Sequence, residues 1–86
     1  MTRVVNRHRE EYDVYIGRGT KWGNKFEIGP DGTRKEVIEK YRLWIRNQPQ
    51  LLECLHELKD KRLGCSCIPN PCHGQVLVEL VQLLVA

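Results

Sequence analysis

The sequence has no apolar run that reaches the roughly 18 residues needed to span a membrane. Its first residues, MTRVVNR, contain no apolar stretch of the kind found in signal peptides. Internal repeats and low-complexity tracts are also absent. These absences argue against a membrane protein, an exported protein and a repeat array, and we expect a cytoplasmic protein without a membrane partner.

The chain of 86 residues is 41% hydrophobic and 29% charged. Disordered chains have fewer apolar residues and a larger charge imbalance, so this composition predicts a folded protein. A chain of this length buries only about 60 to 65% of its unfolded surface and has no room for a second hydrophobic core. The sequence therefore predicts one domain, spanning residues 1–86.

Four cysteines are present, and three of them lie close together near position 70. Structural disulfides belong mainly to exported proteins, so in the absence of an export signal we expect reduced thiols. Metal binding and thiol chemistry are therefore the two functions to consider for these residues.

Positive charge is missing from the last part of the chain. All 14 Lys and Arg residues lie between Arg3 and Arg62, and Glu79 is the one acidic residue that follows them. The formal net charge of +3 is small. Its uneven distribution nevertheless favours a phosphate-bearing partner, either nucleic acid or a nucleotide.

Three short segments have the character of strands. RVVNR and YDVYIG are rich in β-branched or alternating apolar residues, and KDKRLGCSC leads from a turn into a third segment of this kind. Between the second and third segments, residues 17–33 hold five of the seven glycines. This composition predicts a long loop, the glycine-rich loop, and loops of this length are often functional.

Three helices are also predicted. Thr33 and Glu36 form a capping box ahead of an apolar stripe that ends near Asn47. The last segment, GQVLVELVQLLVA, has apolar residues at helical spacing and almost no charge, so we expect this helix to be buried or to contact a partner. Pro49 can begin a helix between these two, with four inward-facing leucines, Leu51, Leu52, Leu55 and Leu58.

This order of elements predicts an α/β fold, a small single domain in which a short, mainly parallel sheet of about three strands is covered by three helices. If the second and third strands are parallel and joined by a right-handed crossover, their carboxyl ends lie at the same edge. The glycine-rich loop and residues 64–74, the Cys/His segment, leave the sheet at those ends, where ligands bind in open α/β sheets. We therefore expect the two segments to share one cleft.

The first part of the glycine-rich loop, GRGTKWGNKF, combines glycines, cations and aromatic residues. Glycines let backbone N–H groups approach a phosphate, cations neutralise it, and aromatic rings stack on bases. The stretch lacks both the P-loop pattern and the dinucleotide fingerprint. Alternatively, the glycines only form turns and the aromatic rings pack on the sheet. The ligand-binding candidates are Gly17, Arg18, Gly19, Lys21, Trp22, Asn24 and, at the start of the last helix, Gly74.

The Cys/His segment has the pattern C-x-C-x4-C-H, formed by Cys65, Cys67, Cys72 and His73. These residue types match a zinc site with three thiolates and one imidazole. The spacing matches less well, because structural zinc sites usually combine two knuckles of the C-x2-C or H-x3-H type. Zinc, or another soft metal, is therefore a candidate cofactor.

Thiol chemistry is an alternative for the same segment. Cys72 directly precedes the last helix, whose N-terminus would lower its pKa, so Cys72 is a candidate nucleophile next to His73. Asp13, in the second strand, is a candidate acid or base. Buried, inert cysteines are a further possibility. A nucleobase deaminase is excluded, because its P-C-x-x-C signature would require a cysteine where Gln75 stands.

The segments YDVYIGRGTKWGNKF, GTRKEVIEKYRLWI and KRLGCSCIPNPCHGQVLVEL together resemble the phage and bacterial family known as domain of unknown function 4326. The resemblance covers residues 4–81. It implies that G-R-G-x-K-W-G-N and G-C-x-C-x4-C-H-G are hallmark segments, and that the chain is a small phage protein or a module of a nucleic-acid-modifying enzyme. Members often have proline where Lys25 stands and tryptophan where Ser66 stands, which implies one aromatic contact fewer here.

Three functions follow as hypotheses. The first is binding of nucleic acid or a nucleotide by the glycine-rich loop, with the Cys/His segment as a structural or metal-stabilised wall. The second is a small enzyme acting on a nucleotide or nucleobase through Cys72 or a bound metal. The third is a phage protein that inhibits a host enzyme, with its last helix forming a homodimer or host interface. Binding ranks first because no complete catalytic constellation can be read from the sequence.

Overall fold

A computed structural model describes residues 1–68 and 70–85 of the chain. Pro69, in the Cys/His segment, and Ala86, in the predicted last helix, lie outside the described residues. The predicted α/β fold, with three strands and three helices, is confirmed. In chain order the elements are β1 (Arg3–Asn6), β2 (Val14–Tyr15), α1 (Arg34–Ile45), α2 (Pro49–Glu53), a 3-10 turn (Leu55–Leu58), β3 (Arg62–Cys65) and α3 (Gly74–Leu84).

The sheet has the strand order β1-β3-β2, and both strand pairs are parallel. The central strand, β3, pairs its Gly64 with Val5 of β1 on one side and with Tyr15 of β2 on the other. Leu63 of β3 is fully buried. The predicted parallel arrangement of β2 and β3 is thus confirmed, and the carboxyl ends of all three strands lie at one edge.

The predicted capping box begins α1. The Glu36 backbone N–H donates to the Thr33 hydroxyl at 3.2 Å, and the Thr33 backbone N–H donates to the Glu36 carboxylate at 3.0 Å. These two bonds satisfy N–H groups that have no partner within the helix. The buried face of α1 carries Val37, Tyr41 and Ile45.

The second predicted helix is shorter than expected. It ends at Glu53, and the chain then tightens into the 3-10 turn. Residues three apart lie on the same side of a 3-10 turn, so this winding directs both Leu55 and Leu58 into the core. Cys54, between the two pieces, is half-buried.

The last helix, α3, packs against β1, the 3-10 turn and α1. Its first residue, Gly74, lies so close to the sheet that a Cβ atom there would be 2.6 Å from Cδ1 of Ile16. Leu83 and Leu84, at the end of the helix, are exposed. The expected burial of one face is confirmed for Val76, Leu77, Leu80 and Val81. Within the described residues, the helices fall short of the length and hydrophobicity that a membrane crossing requires.

Candidate functional site

A pocket of about 450 Å³ lies between the glycine-rich loop and the Cys/His segment. The Ile16 backbone N–H donates to the Gly64 carbonyl at 3.1 Å, so β2 and β3 run side by side until the chain leaves the sheet. The expectation that the two segments share one cleft is confirmed. The wall formed by β2, the glycine-rich loop and α1 includes Tyr15, Gly17, Arg18, Asn24, Phe26, Arg34 and Val37. The facing wall includes Cys65, Ser66, Cys67, Pro71, Cys72 and His73.

Three potential metal ligands meet in the wall of this pocket. One ligand atom each from Cys65, Cys72 and His73 lies within 4.8 Å of the other two, and all three residues are buried. The neighbours Cys72 and His73 do turn toward one point, with 3.6 Å between Sγ and Nδ1. Cys67, the fourth predicted ligand, lies outside this group. The cluster has the chemistry of a site for a soft metal ion.

A hydrogen bond to the backbone fixes the protonation of His73. Its Nε2 atom lies 2.8 Å from the Ile16 carbonyl oxygen, which only accepts, so Nε2 carries the proton. Nδ1 therefore presents its lone pair toward the Cys72 thiol. Burial lowers the pKa of His73, and the ring of Tyr41 packs edge-on against it with 5.0 Å between centroids. The imidazole is consequently neutral at neutral pH, as metal ligation requires.

The two buried thiols differ in how readily they ionise. A hydrogen bond with the Cys72 thiol lowers the pKa of Cys65. The same bond, together with burial, raises the pKa of Cys72. Cys65 is therefore the more acidic thiol, whereas the sequence favoured Cys72 because of its place before α3. Backbone N–H groups also donate to both sulfurs, from Cys67 to Cys65 at 3.5 Å and from Gly74 to Cys72 at 3.4 Å.

Two arginines line the pocket. Arg34, at the start of α1, donates to the Pro71 carbonyl at 3.1 Å and so connects the two walls. It forms no ion pair with any residue in the described part of the chain. Arg18 pairs with Glu27 at 2.7 Å, and both side chains are largely exposed. The guanidinium group of Arg34 therefore retains donors for a ligand.

Aromatic side chains in the wall come from β2 and the glycine-rich loop. Phe26 is half-buried, and its backbone N–H donates to the Asn24 side chain at 2.9 Å. Asn24 also donates to the Val37 carbonyl at 3.2 Å, so this residue attaches the loop to α1. Tyr15 lies directly over Gly17, where a Cβ atom would be 2.0 Å from the phenol oxygen. Glycine at position 17 is thus required for the tyrosine to lie against the loop.

Three predicted ligand-binding residues of the glycine-rich loop lie away from the pocket. Trp22 is 2% exposed and belongs to the core, where its carbonyl accepts a hydrogen bond from the Tyr41 hydroxyl at 2.7 Å. Lys21 forms an ion pair with Glu57 at 2.7 Å, and this contact raises the pKa of the lysine. Gly19 lies in an exposed turn with a φ of 90°, which favours glycine. Stacking on Trp22 is excluded because the ring is buried.

The predictions for Asp13 and Gly74 need correction. Asp13 precedes β2, at the amino-terminal edge of the sheet, and accepts hydrogen bonds from the backbone and side chain of Arg62. It therefore cannot act as an acid or base at the opposite edge. Gly74 is buried against Ile16 and Val4, so its lack of a side chain permits close helix–sheet packing rather than approach to an anion.

Sequence reasoning did not identify Arg34 as a pocket residue. The available signal was its position directly after the helix cap Thr33, since the first turn of a helix that follows a binding loop faces the same edge. Phe26 and Tyr15 were noted only as an aromatic loop residue and a strand residue. The place of Phe26 in the pocket depends on the path of the loop, which has no sequence periodicity.

The chain is similar to known proteins over nearly its whole length. The model of the family described as domain of unknown function 4326 matches residues 2–83. A protein of Enterobacteria phage T4, described as an uncharacterized 12.4 kDa protein in the nrdA-td intergenic region, is 38% identical over an alignment of 89 positions. This alignment covers 98% of this chain and 81% of the phage protein. Uncharacterized protein R718 of Acanthamoeba polyphaga mimivirus is 37% identical over an alignment of 90 positions, which covers 84% of this chain and 68% of that protein.

No solved structure matches the chain. Both relatives are viral proteins. The family match spans the glycine-rich loop, α1 and the Cys/His segment, so it includes every part of the pocket wall described above. The chain therefore belongs to the family described as domain of unknown function 4326, as its motifs implied.

Proposed function

We propose that this protein binds a nucleotide in the pocket between the glycine-rich loop and the Cys/His segment. The observation that carries the proposal is the combination of two guanidinium groups with aromatic side chains around one pocket. Its volume of about 450 Å³ falls within the roughly 300–1,000 Å³ of small-molecule sites. The ligand is therefore a single nucleotide, free or unpaired at the end of a strand, rather than a duplex.

Arg34 supplies the main phosphate contact in this proposal. Its guanidinium group has five N–H donors in a planar fork that suits phosphate oxygens, and the bond to Pro71 uses one nitrogen. Arg18 is the second contact. Its exposed pair with Glu27 contributes little stability, since exposed ion pairs are typically worth about 0–1 kcal/mol, so a phosphate can replace the carboxylate.

The aromatic side chains provide a surface for the base. Phe26 and Tyr15 both line the pocket, and neither ring is fully buried. Base stacking on an aromatic ring contributes about 1–3 kcal/mol. The Arg7 guanidinium group lies 5.0 Å from the centre of the Tyr15 ring and helps to hold this side chain in place.

We propose zinc as the metal at the cluster of Cys65, Cys72 and His73. Zinc prefers thiolate and imidazole ligands, whereas calcium and magnesium prefer oxygen. The bound ion would fix the Cys/His wall of the nucleotide pocket. We also place the protein in the cytoplasm of the host cell, because free thiols stay reduced there and both relatives are viral.

Calorimetric titration with AMP, GMP, CMP and dTMP tests the nucleotide proposal. Replacing Arg34 by alanine removes charge-assisted hydrogen bonds worth about 1.5–3 kcal/mol each, so we expect at least about tenfold weaker binding. Binding to the wild-type protein should also weaken as salt is added.

Arg46→Ala is the matched control, because Arg46 is exposed at the other end of α1 and does not line the pocket. Its affinity should equal that of the wild-type protein. Equal affinities of Arg34→Ala and the wild-type protein, or no binding of any of the four nucleotides at millimolar concentration, would overturn the proposal.

A further inference from the structure

We infer that the zinc site is open: three protein ligands hold the ion, and its fourth position is occupied by water that a donor atom of the pocket's ligand can replace. This inference rests on the nucleotide and zinc proposals above and specifies the kind of zinc centre. Structural zinc sites use four protein ligands, whereas catalytic zinc sites use three and keep one position for water or substrate.

The separation of the ligand atoms fits a tetrahedral ion. Zinc–sulfur bonds of about 2.3 Å and zinc–nitrogen bonds of about 2.0–2.1 Å place the two ligand atoms about 3.6 Å apart in a tetrahedron. The distance between Cys72 Sγ and His73 Nδ1 is 3.6 Å. The third ligand atom, from Cys65, lies within 4.8 Å of both. Small rotations of the side chains thus suffice to surround one ion.

Hydrogen bonds with the surrounding backbone orient all three ligands. The Ile16 carbonyl accepts the Nε2 proton of His73, which leaves Nδ1 free for the metal. Backbone N–H groups donate to the sulfur atoms of Cys65 and Cys72. Such outer contacts are typical of metal sites, where the second ring nitrogen of a ligating histidine is hydrogen-bonded.

Cys67 is the side chain that would have to close the site. Its thiol lies outside the cluster of mutually close ligand atoms. The backbone N–H of Cys67 donates to Cys65, and its side chain also contributes to lowering the pKa of Cys65. Cys67 is also only partly buried, unlike the three ligands. Ser66, between the two cysteines, is exposed. The described part of the chain therefore supplies three ligands to the cluster.

The fourth position faces the pocket. Cys65, Cys72 and His73 all line it, and the two cysteines also belong to the hydrophobic core. A water molecule bound to zinc at such a position has its pKa lowered toward neutrality. Arg18 and Arg34 line the same pocket, so the site combines a zinc-bound water with groups that hold phosphate. This combination assigns the protein a site of the catalytic zinc class.

Cobalt(II) substitution of the full chain tests this inference. X-ray absorption should show two sulfur ligands, one imidazole nitrogen and one further light atom, with one metal ion per chain. Addition of azide should shift the visible absorption of the cobalt protein, because azide replaces the water.

Cys67→Ser should leave the metal content and the number of sulfur ligands unchanged. Cys54→Ser, outside the pocket, is the matched control. X-ray absorption and the addition of azide are carried out first on the wild-type protein. Their results therefore stand even if a variant fails to fold.

Three sulfur ligands, with loss of one in Cys67→Ser, would show a closed site and overturn the inference. A folded wild-type protein that binds no zinc or cobalt would overturn it as well. Calorimetric titration of the zinc-loaded protein with nucleotides separates the two proposals. If nucleotides bind but the zinc has four protein ligands, only the inference of an open zinc site is refuted. If azide binds the metal but no nucleotide binds the protein, only the nucleotide proposal is refuted.

Discussion

Lys21, Asp13 and Arg34 are charged residues whose roles depend on their partners. The first two form ion pairs with Glu57 and Arg62 outside the pocket, while Arg34 binds a backbone carbonyl inside it. The sequence identifies these residues as charged but does not specify their partners. Sequence reasoning therefore included Lys21 and Asp13 in the site and missed Arg34.

The pairing of Asp13 with Arg62 predicts a pH-dependent stability. Hydrogen bonds from Arg62 hold the pKa of Asp13 at about 2, below its ordinary value of 3.8. A lowered carboxylate pKa stabilises the fold above the unfolded pKa, and this contribution is lost as the pH falls from about 4 toward 2. We expect Asp13→Asn to unfold more easily than the wild-type protein at pH 7, and the difference to shrink below pH 4.

Urea denaturation of both proteins between pH 7 and pH 3 measures this effect. Glu53→Gln is a suitable control, since Glu53 is exposed and forms no ion pair within the residues that the structure describes. A difference between wild type and Asp13→Asn that stays constant from pH 7 to pH 3 would contradict the prediction.

The secondary-structure elements were largely predictable because each carries a local signal. The capping box of Thr33 and Glu36 and the apolar stripe after it determine α1. The segment after Pro49 was predicted as one helix, but it divides into α2 and a 3-10 turn. Leucines at helical spacing fit both windings, so the sequence alone does not distinguish them. The choice depends on packing of Leu55 and Leu58 against α3.

Gly74 is the position where α3 packs most closely on the sheet. A Cβ atom there would lie 2.6 Å from Ile16 Cδ1 and 2.9 Å from Val4 Cγ2. Overpacking of a buried contact costs about 1–3 kcal/mol. We therefore expect Gly74→Ala to lower the free energy of unfolding by this amount in chemical denaturation.

Gln75→Ala is the matched control for this substitution, because Gln75 is the next residue of α3 and is exposed. Its effect should stay within about 0.5 kcal/mol, as for most surface substitutions. Equal stability of Gly74→Ala and Gln75→Ala would contradict the proposed packing role of Gly74.

At the scale of the whole molecule, the parallel topology of the sheet predicts where the candidate site lies. Adjacent parallel strands end at one edge, and this rule predicts that residues 17–33 and 64–74 lie close together. The rule does not describe the path of the loop between β2 and α1. The burial of Trp22 and the approach of Phe26 to the pocket arise along that path, where no periodicity constrains a prediction.

The central claim is that the two segments bind one ligand together. Nuclear magnetic resonance of the isotope-labelled, zinc-loaded protein, titrated with the tightest-binding of the four nucleotides, tests this claim directly. We predict that amide signals from residues 17–26 and from residues 65–74 shift with the same dissociation constant, while signals near Asp13 stay unchanged. Shifts confined to one of the two segments, or spread over the amino-terminal edge of the sheet, would contradict the account.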